Sequence, residues 1–82
     1  MSYSVELEPA ALNAAARFLK DDPVGLKNVL DALDALADNP RPVDSSTLGT
    51  YRRLRIGPYR ALYAVEDETI RVIVLHLGRI TP

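Results

Sequence analysis

Between Thr50 and Leu77 the chain carries three runs of strand-forming residues, Thr50 to Ile56, Tyr59 to Val65 and Ile70 to Leu77, separated only by Gly57-Pro58 and by Glu66 to Thr69. Connections this short cannot return a chain to the start of a parallel strand, which takes a crossover of about a dozen residues or more. The three runs must therefore pair as an antiparallel meander. Gly57 can adopt the positive φ that a tight II′-like hairpin asks of its first position, and Pro58 suits the next. With Gly57-Pro58 as the whole loop, Ile56 faces Tyr59, Arg55 faces Arg60, Leu54 faces Ala61 and Arg53 faces Leu62. Alternation with period two then divides the hairpin. Leu54, Ile56, Tyr59, Ala61, Tyr63 and Val65 share one face, and Arg53, Arg55 and Arg60 share the other.

Upstream, Tyr3, Val5 and Leu7 alternate with polar residues, which predicts a first strand over Tyr3 to Leu7. Its pairing partner is left open by the sequence. Pro9 fits the first position of a helix, with Glu8 before it at the positive end of the dipole. Leu12, Ala15, Ala16 and Leu19 supply an apolar stripe for that helix, which ends near Lys20. Asp22-Pro23 repeats the start signal. Leu26, Val29, Leu30, Leu33, Leu36 and Ala37 mark a second helix, closed by Asn39-Pro40. Two amphipathic helices with so short a joint read as an antiparallel helical hairpin. Arg41 to Thr47 has no period and reads as a loop. The expected fold is α+β: an N-terminal strand, the helical hairpin, then the three-stranded meander. The helices cover one face of the sheet through Leu12, Leu19, Leu26, Leu30, Leu33 and Leu54. The last run is apolar on both parities and so belongs inside the sheet, with Ile73, Leu75 and Leu77 toward the helices and His76 on the arginine side. No repeat or linker divides residues 1–82, so a single domain is expected.

At 82 residues and 9.0 kDa, such a chain buries only about 60% of the surface it exposes when unfolded, and a stabilising partner chain fits so thin a margin. No apolar run approaches the ~20 residues of a membrane span, and an N-terminus bearing Glu6 and Glu8 lacks the basic region of a signal peptide. A cytoplasmic protein without membrane partners is the expectation. The absence of cysteine excludes thiolate zinc sites, and His76, the one imidazole, excludes a polyhistidine site; no cofactor is expected. The net charge of −1 hides an asymmetry. Up to Thr50 eight acids oppose four bases; from Tyr51 onward six arginines oppose Glu66, Asp67 and Glu68.

Like charges facing each other across a sheet oppose folding by a few tenths of a kcal/mol or more, so Arg53, Arg55 and Arg60 call for another role. Guanidinium groups are fork-shaped and suit bidentate contact with phosphate, while nearby tyrosines can stack on bases. The plainer alternative is a solvated face partly paired with Glu66, Asp67 and Glu68. His76 has two readings as well, a spacer bonded to backbone or an acid or base beside an anion site. Tyr51, Tyr59 and Tyr63 read as core or rim residues.

Strand, helical hairpin and meander, together with Leu48-Gly49, Tyr51-Arg52-Arg53-Leu54-Arg55-Ile56-Gly57-Pro58-Tyr59-Arg60 and Leu75-His76-Leu77-Gly78-Arg79, resemble the RelE/ParE superfamily of toxin-antitoxin toxins. The resemblance implies a small α+β domain and a cognate antitoxin that wraps it into a hetero-oligomer. RelE-like members cleave messenger RNA on the translating ribosome without metal, driving the ribose 2′-OH onto the adjacent phosphate to leave a 2′,3′-cyclic end. ParE-like members poison DNA gyrase instead, and a degenerate member would only bind its antitoxin. Arg53 falls where RelE-like toxins place a basic residue in the second strand, Arg55 matches the second base of the R-L-R run, and Arg60 matches the arginine that holds the scissile phosphate. Arg79 is expected beside them as a further phosphate contact. Many RelE-like members follow the last strand with G-x-R and then a tyrosine. Here Gly78-Arg79-Ile80-Thr81-Pro82 puts the arginine one position early and has no tyrosine. An arginine stabilises a phosphorane but is a poor general base, and Lys20 and Lys27 lie in the helical half. The catalytic set implied is therefore Arg53 and Arg60 with His76 as base.

Overall fold

A computed structural model describes residues 2–80. The elements run β1 (Ser4–Leu7), α1 (Pro9–Asp21), α2 (Pro23–Ala35), β2 (Ser45–Leu48), β3 (Tyr51–Ile56), β4 (Tyr59–Glu66) and β5 (Arg71–Arg79). Thr81 and Pro82, the end of the segment after the last strand, lie outside the described residues. Gly57 adopts φ +56° before Pro58, and the β3–β4 register is the expected one, with Ile56 opposite Tyr59 and Arg55 opposite Arg60.

The five strands form one sheet in the order β1-β5-β4-β3-β2. β3, β4 and β5 make the antiparallel meander, and β5 has neighbours on both sides. β1 completes the sheet by pairing parallel to β5, Ser4 opposite Arg71 through Leu7 opposite Val74, with the helical hairpin lying in the crossover.

Arg41 to Thr47, expected as a loop, gives up its last residues to a strand. β2 pairs antiparallel with β3, Ser45 opposite Leu54 and Leu48 opposite Tyr51. It is a short edge strand of Ser-Ser-Thr-Leu with little burial on either face, so it has no hydrophobic alternation to read. Arg52 holds it from β3, donating from Nη2 to Ser45 Oγ at 2.8 Å and from Nη1 to Thr47 Oγ1 at 3.3 Å.

A bulge changes the face assignment in β5. Leu62 pairs with His76 but Tyr63 pairs with Val74, which leaves Leu75 as the extra residue. The parity of β5 inverts there. Val72 and Val74 are buried against the helices on one side of the bulge and Leu77 on the other. Ile73 and Leu75, expected toward the helices, are only half-buried.

The helix α1 is rotated by one residue from its expected orientation. Ala11, Ala14 and Ala15 face the sheet with Phe18 packed beside them, a stripe with the same i, i+3, i+4, i+7 spacing as Leu12, Ala15, Ala16 and Leu19. One residue is about 100° around a helix. Small side chains let α1 approach β5 closely, and the larger leucines are left on the adjoining surface. Leu26, Leu33 and Leu54 are core as expected, whereas Leu12, Leu19 and Leu30 are exposed and line an apolar groove with Leu7, Ala16 and Leu26.

Asp22 ends one helix and caps the next, accepting the Gly25 N–H at 3.0 Å. A Cβ on residue 25 would meet Asp22 Oδ2 at 2.0 Å, so only glycine permits this close approach. Leu33, 1% exposed, and Leu12, 58% exposed, distinguish the two helix surfaces. Leu33→Ala is expected to cost ~2–5 kcal/mol and Leu12→Ala no more than ~0.5 kcal/mol, read as midpoint shifts in denaturant titrations.

Candidate functional site

The face of the sheet away from the helices has rows of side chains set by strand register. Arg55 on β3 stands opposite Arg60 on β4, and Arg60 stands opposite Gly78 on β5. In the next row Ser46, Arg53, Leu62 and His76 follow one another across β2, β3, β4 and β5. Arg53, Arg55 and Arg60 line a cavity of about 280 Å³ whose other wall is Val43, Asp44, Ser45 and Ser46. The sequence does not announce that wall, because Val43 is fully exposed and the residues after it are polar with no alternation; the β-tolerant Ser45 to Thr47 is its only signal.

Arg60 is held in place by its own turn. Its Nη1 donates to the carbonyls of Gly57 at 2.7 Å and Tyr59 at 2.8 Å, leaving Nε and Nη2 without a protein partner among the described residues. None of the ion pairs among those residues takes Arg53, Arg55 or Arg60. They engage Lys27, Arg41, Arg71 and Arg79. Of the acids that might have neutralised the trio, Glu66 is taken by Arg71 and Asp67 by Arg41 and Tyr3, while Asp44 shares the cavity wall without forming an ion pair with them. His76 is exposed on the same face, two strand spacings or about 10 Å from Arg53 and diagonal to Arg60 across one spacing.

Arg79 does not join them. It stands opposite Tyr59 on the helix side, pairs with Asp21 at 2.6 Å and lies over the Phe18 ring at 5.0 Å from its centroid. Below it the Tyr59 hydroxyl donates to Asp22 Oδ2 at 2.8 Å. Burial, and then the bond to Asp22, push the Tyr59 phenol up, keeping it a donor. The Gly25 N–H, and then the Tyr59 hydroxyl, hold the Asp22 carboxyl below the usual carboxylate range. This cluster ties the helix joint to the end of β5. Tyr63 is likewise buried, its hydroxyl donating to the Pro40 carbonyl at 2.8 Å, so Tyr51 is the meander tyrosine left exposed.

Comparison with known proteins places this fold, a helical hairpin on one face of a five-stranded mixed sheet, in a class of small toxins. The profile of the ParE toxin of type II toxin-antitoxin systems, parDE, matches residues 5–79, and the chain belongs to this family within the RelE/ParE superfamily. Among solved structures, a chain of the toxin-antitoxin complex RelBE2 from Mycobacterium tuberculosis superposes with a TM-score of 0.82 at 24% identity, covering 96% of this chain and 99% of that one. The intact RelBE toxin-antitoxin complex of E. coli gives 0.79 at 21% identity over 99% of this chain and 100% of that one. A YoeB/ParE toxin from Agrobacterium tumefaciens gives 0.79 at 15% identity over 96% and 99%. At these identities the likeness is one of fold. No curated protein matches the sequence.

The Asp22 cluster has a pH signature. Its folded-state pKa is lowered, so its stabilisation is present above the ordinary carboxylate value and is lost as pH falls through the lowered one, below about pH 4. Asp22→Asn is expected to flatten the acid limb of stability against pH, with a residual slope from Glu66 and Asp67, whose carboxyls are also held low. Thermal melts across that range read both. Arg79→Ala is expected to lower the melting temperature.

Proposed function

We propose that this toxin acts on RNA, as a metal-independent endoribonuclease of ribosome-bound messenger RNA. The observation that carries the proposal is the clustering of Arg53, Arg55 and Arg60 on an open sheet face with no ion-paired carboxylate among the described residues, in a chain whose acids outnumber its bases. In this reading Arg55 and Arg53 hold the RNA backbone, and Arg60 aims its unbonded Nε and Nη2 at the scissile phosphate. His76 takes the proton of the ribose 2′-OH. The 2′-oxygen then bonds to phosphorus and the P–O5′ bond breaks, leaving a 2′,3′-cyclic phosphate. The departing 5′-oxygen takes a proton from water. Arginine suits the charge that develops on the phosphorane, and histidine is the side-chain type that exchanges protons near neutral pH.

A second reading has its own observation, since the matching profile is that of ParE toxins. There the arginine face would dock on DNA gyrase with no chemistry of its own. Inducible expression separates the two: new transcript 5′ ends within codons support the first, and gyrase-linked DNA breaks the second. With three phosphate contacts, log affinity for single-stranded RNA is expected to fall against log salt with a slope near −2, at about −0.7 per contact. Arg60→Ala is expected to lower that slope by about one contact and to slow cleavage on the order of a hundredfold or more. His76→Ala is expected to leave binding intact and slow cleavage.

The partner in this proposal is a cognate antitoxin in a hetero-oligomer. The groove lined by Leu12, Leu19 and Leu30 is the apolar surface an amphipathic antitoxin helix would cover, and acids on the same partner would neutralise the arginine face. Leu19→Asp, on an exposed position, is expected to leave the fold intact and weaken the antitoxin complex at least tenfold in a co-purification or titration assay.

A further inference from the structure

The open face changes chemistry along the strands. Beyond the rows that carry the arginines, Tyr51 on β3 stands beside Leu48 on β2. Ala64 on β4 and Ile73 on β5 continue the same strip, half-buried by their neighbours with no helix above them. Tyr51 is 44% exposed and Leu48 50% exposed. Past this strip lie Glu6 and Glu66, both bridged by Arg71. The face thus runs from guanidinium groups with no ion-pair partner among the described residues, through an exposed aromatic, to an end where two carboxylates share one guanidinium and a phosphate is not attracted.

We propose that Tyr51 is the platform on which a base of single-stranded RNA stacks when the backbone phosphates lie on Arg53, Arg55 and Arg60. The proposal rests on the RNA reading above. Tyr51 and Arg53 are two residues apart on one strand and point to the same side, about 7 Å along the sheet. That places an aromatic face next to the phosphate-holding row, on the side away from the Gly57-Pro58 turn. Unstacked bases are recognised on such faces, and the interaction is tolerant of sequence because every base has a π-face. The other meander tyrosines cannot serve, because Tyr59 and Tyr63 are buried with their hydroxyls committed to Asp22 and Pro40. Glu6 and Glu66 close the strip, so the platform takes a base near the arginines and the chain must then leave the sheet.

The test is a binding cycle with a short single-stranded RNA carrying 2′-deoxyribose at the scissile position, and the same oligonucleotide with one abasic nucleotide scanned beside that position. Tyr51→Ala is expected to weaken binding of the intact oligonucleotide about 5- to 100-fold with the salt slope unchanged, while Tyr51→Phe binds as the parent does. One abasic position should weaken the parent by a similar factor and leave Tyr51→Ala no weaker than before. Equal weakening of all oligonucleotides by Tyr51→Ala, or no weakening at all, overturns the stacking role while salt-dependent binding by the parent keeps the RNA reading. A parent that binds none of these RNAs at low salt overturns the stacking role, and expression that yields no new transcript 5′ ends within codons overturns the RNA reading.

Discussion

The register of the β3–β4 hairpin is the constraint on which the rest of this molecule depends, because side-chain direction in a strand has a period of two and a slip of one residue exchanges the faces. A slip here would turn one of the two strands over, driving either Arg53 and Arg55 toward the helices with Leu54 exposed, or Arg60 inward with Tyr59 and Tyr63 exposed. The two-residue turn removes that freedom, with φ +56° at Gly57 and Pro58 behind it. The same turn then contributes to the site. Its Gly57 carbonyl and that of Tyr59 anchor Arg60, and the Pro58 carbonyl accepts the Ile80 N–H at 2.7 Å, binding the end of the chain's last strand to it.

A second register feature completes the open face. Without the bulge at Leu75, the parity that buries Val72 and Val74 would continue along β5, and His76 would point into the helices. The extra residue lets Leu77 return to the core while His76 stays opposite Leu62, in the row that holds Arg53. The histidine therefore reaches the arginine face by way of an irregularity, and simple alternation from Ile70 arrives at the same face for a different reason. Bulges are common where a sheet must re-aim a side chain.

These two features mark the limit of what the sequence makes legible. Glycine and proline punctuation, with clean alternation on both sides, makes the hairpin, its faces and the arginine trio readable because local chemistry and tertiary role agree there. The bulge has no local signature, since Val72 to Leu75 is apolar at every position and fits either parity. α1 has the opposite difficulty, two overlapping stripes of identical spacing. Counting leucines selects Leu12 and Leu19, whereas close approach to the sheet selects Ala11, Ala14 and Ala15. β2 is silent because an edge strand pairs through its backbone and needs no buried face. Arg79 was misleading for a further reason: nothing in Gly78-Arg79 announces that Phe18 and Asp21, some sixty residues earlier, will draw its side chain to the helix side.

Charge completes the relation between fold and site. The acids concentrated before Thr50 include Asp31, Asp34 and Asp38, all exposed on or just after α2, while the unpaired arginines emerge from the other side of the sheet. A net charge of −1 thus separates into an acidic helical side and a cationic open side. A polyanion approaching this molecule is repelled from one side and attracted to the other, which orients the encounter before any contact forms. The arrangement also explains how a chain with so little core carries three adjacent guanidinium groups. Arg55 and Arg60 repel across the hairpin, yet both are at the water surface, where screening keeps that repulsion small, and an anionic partner of either kind, nucleic acid or acidic peptide, relieves it. The same charge that weakens the free domain is what draws an anionic partner to the open face.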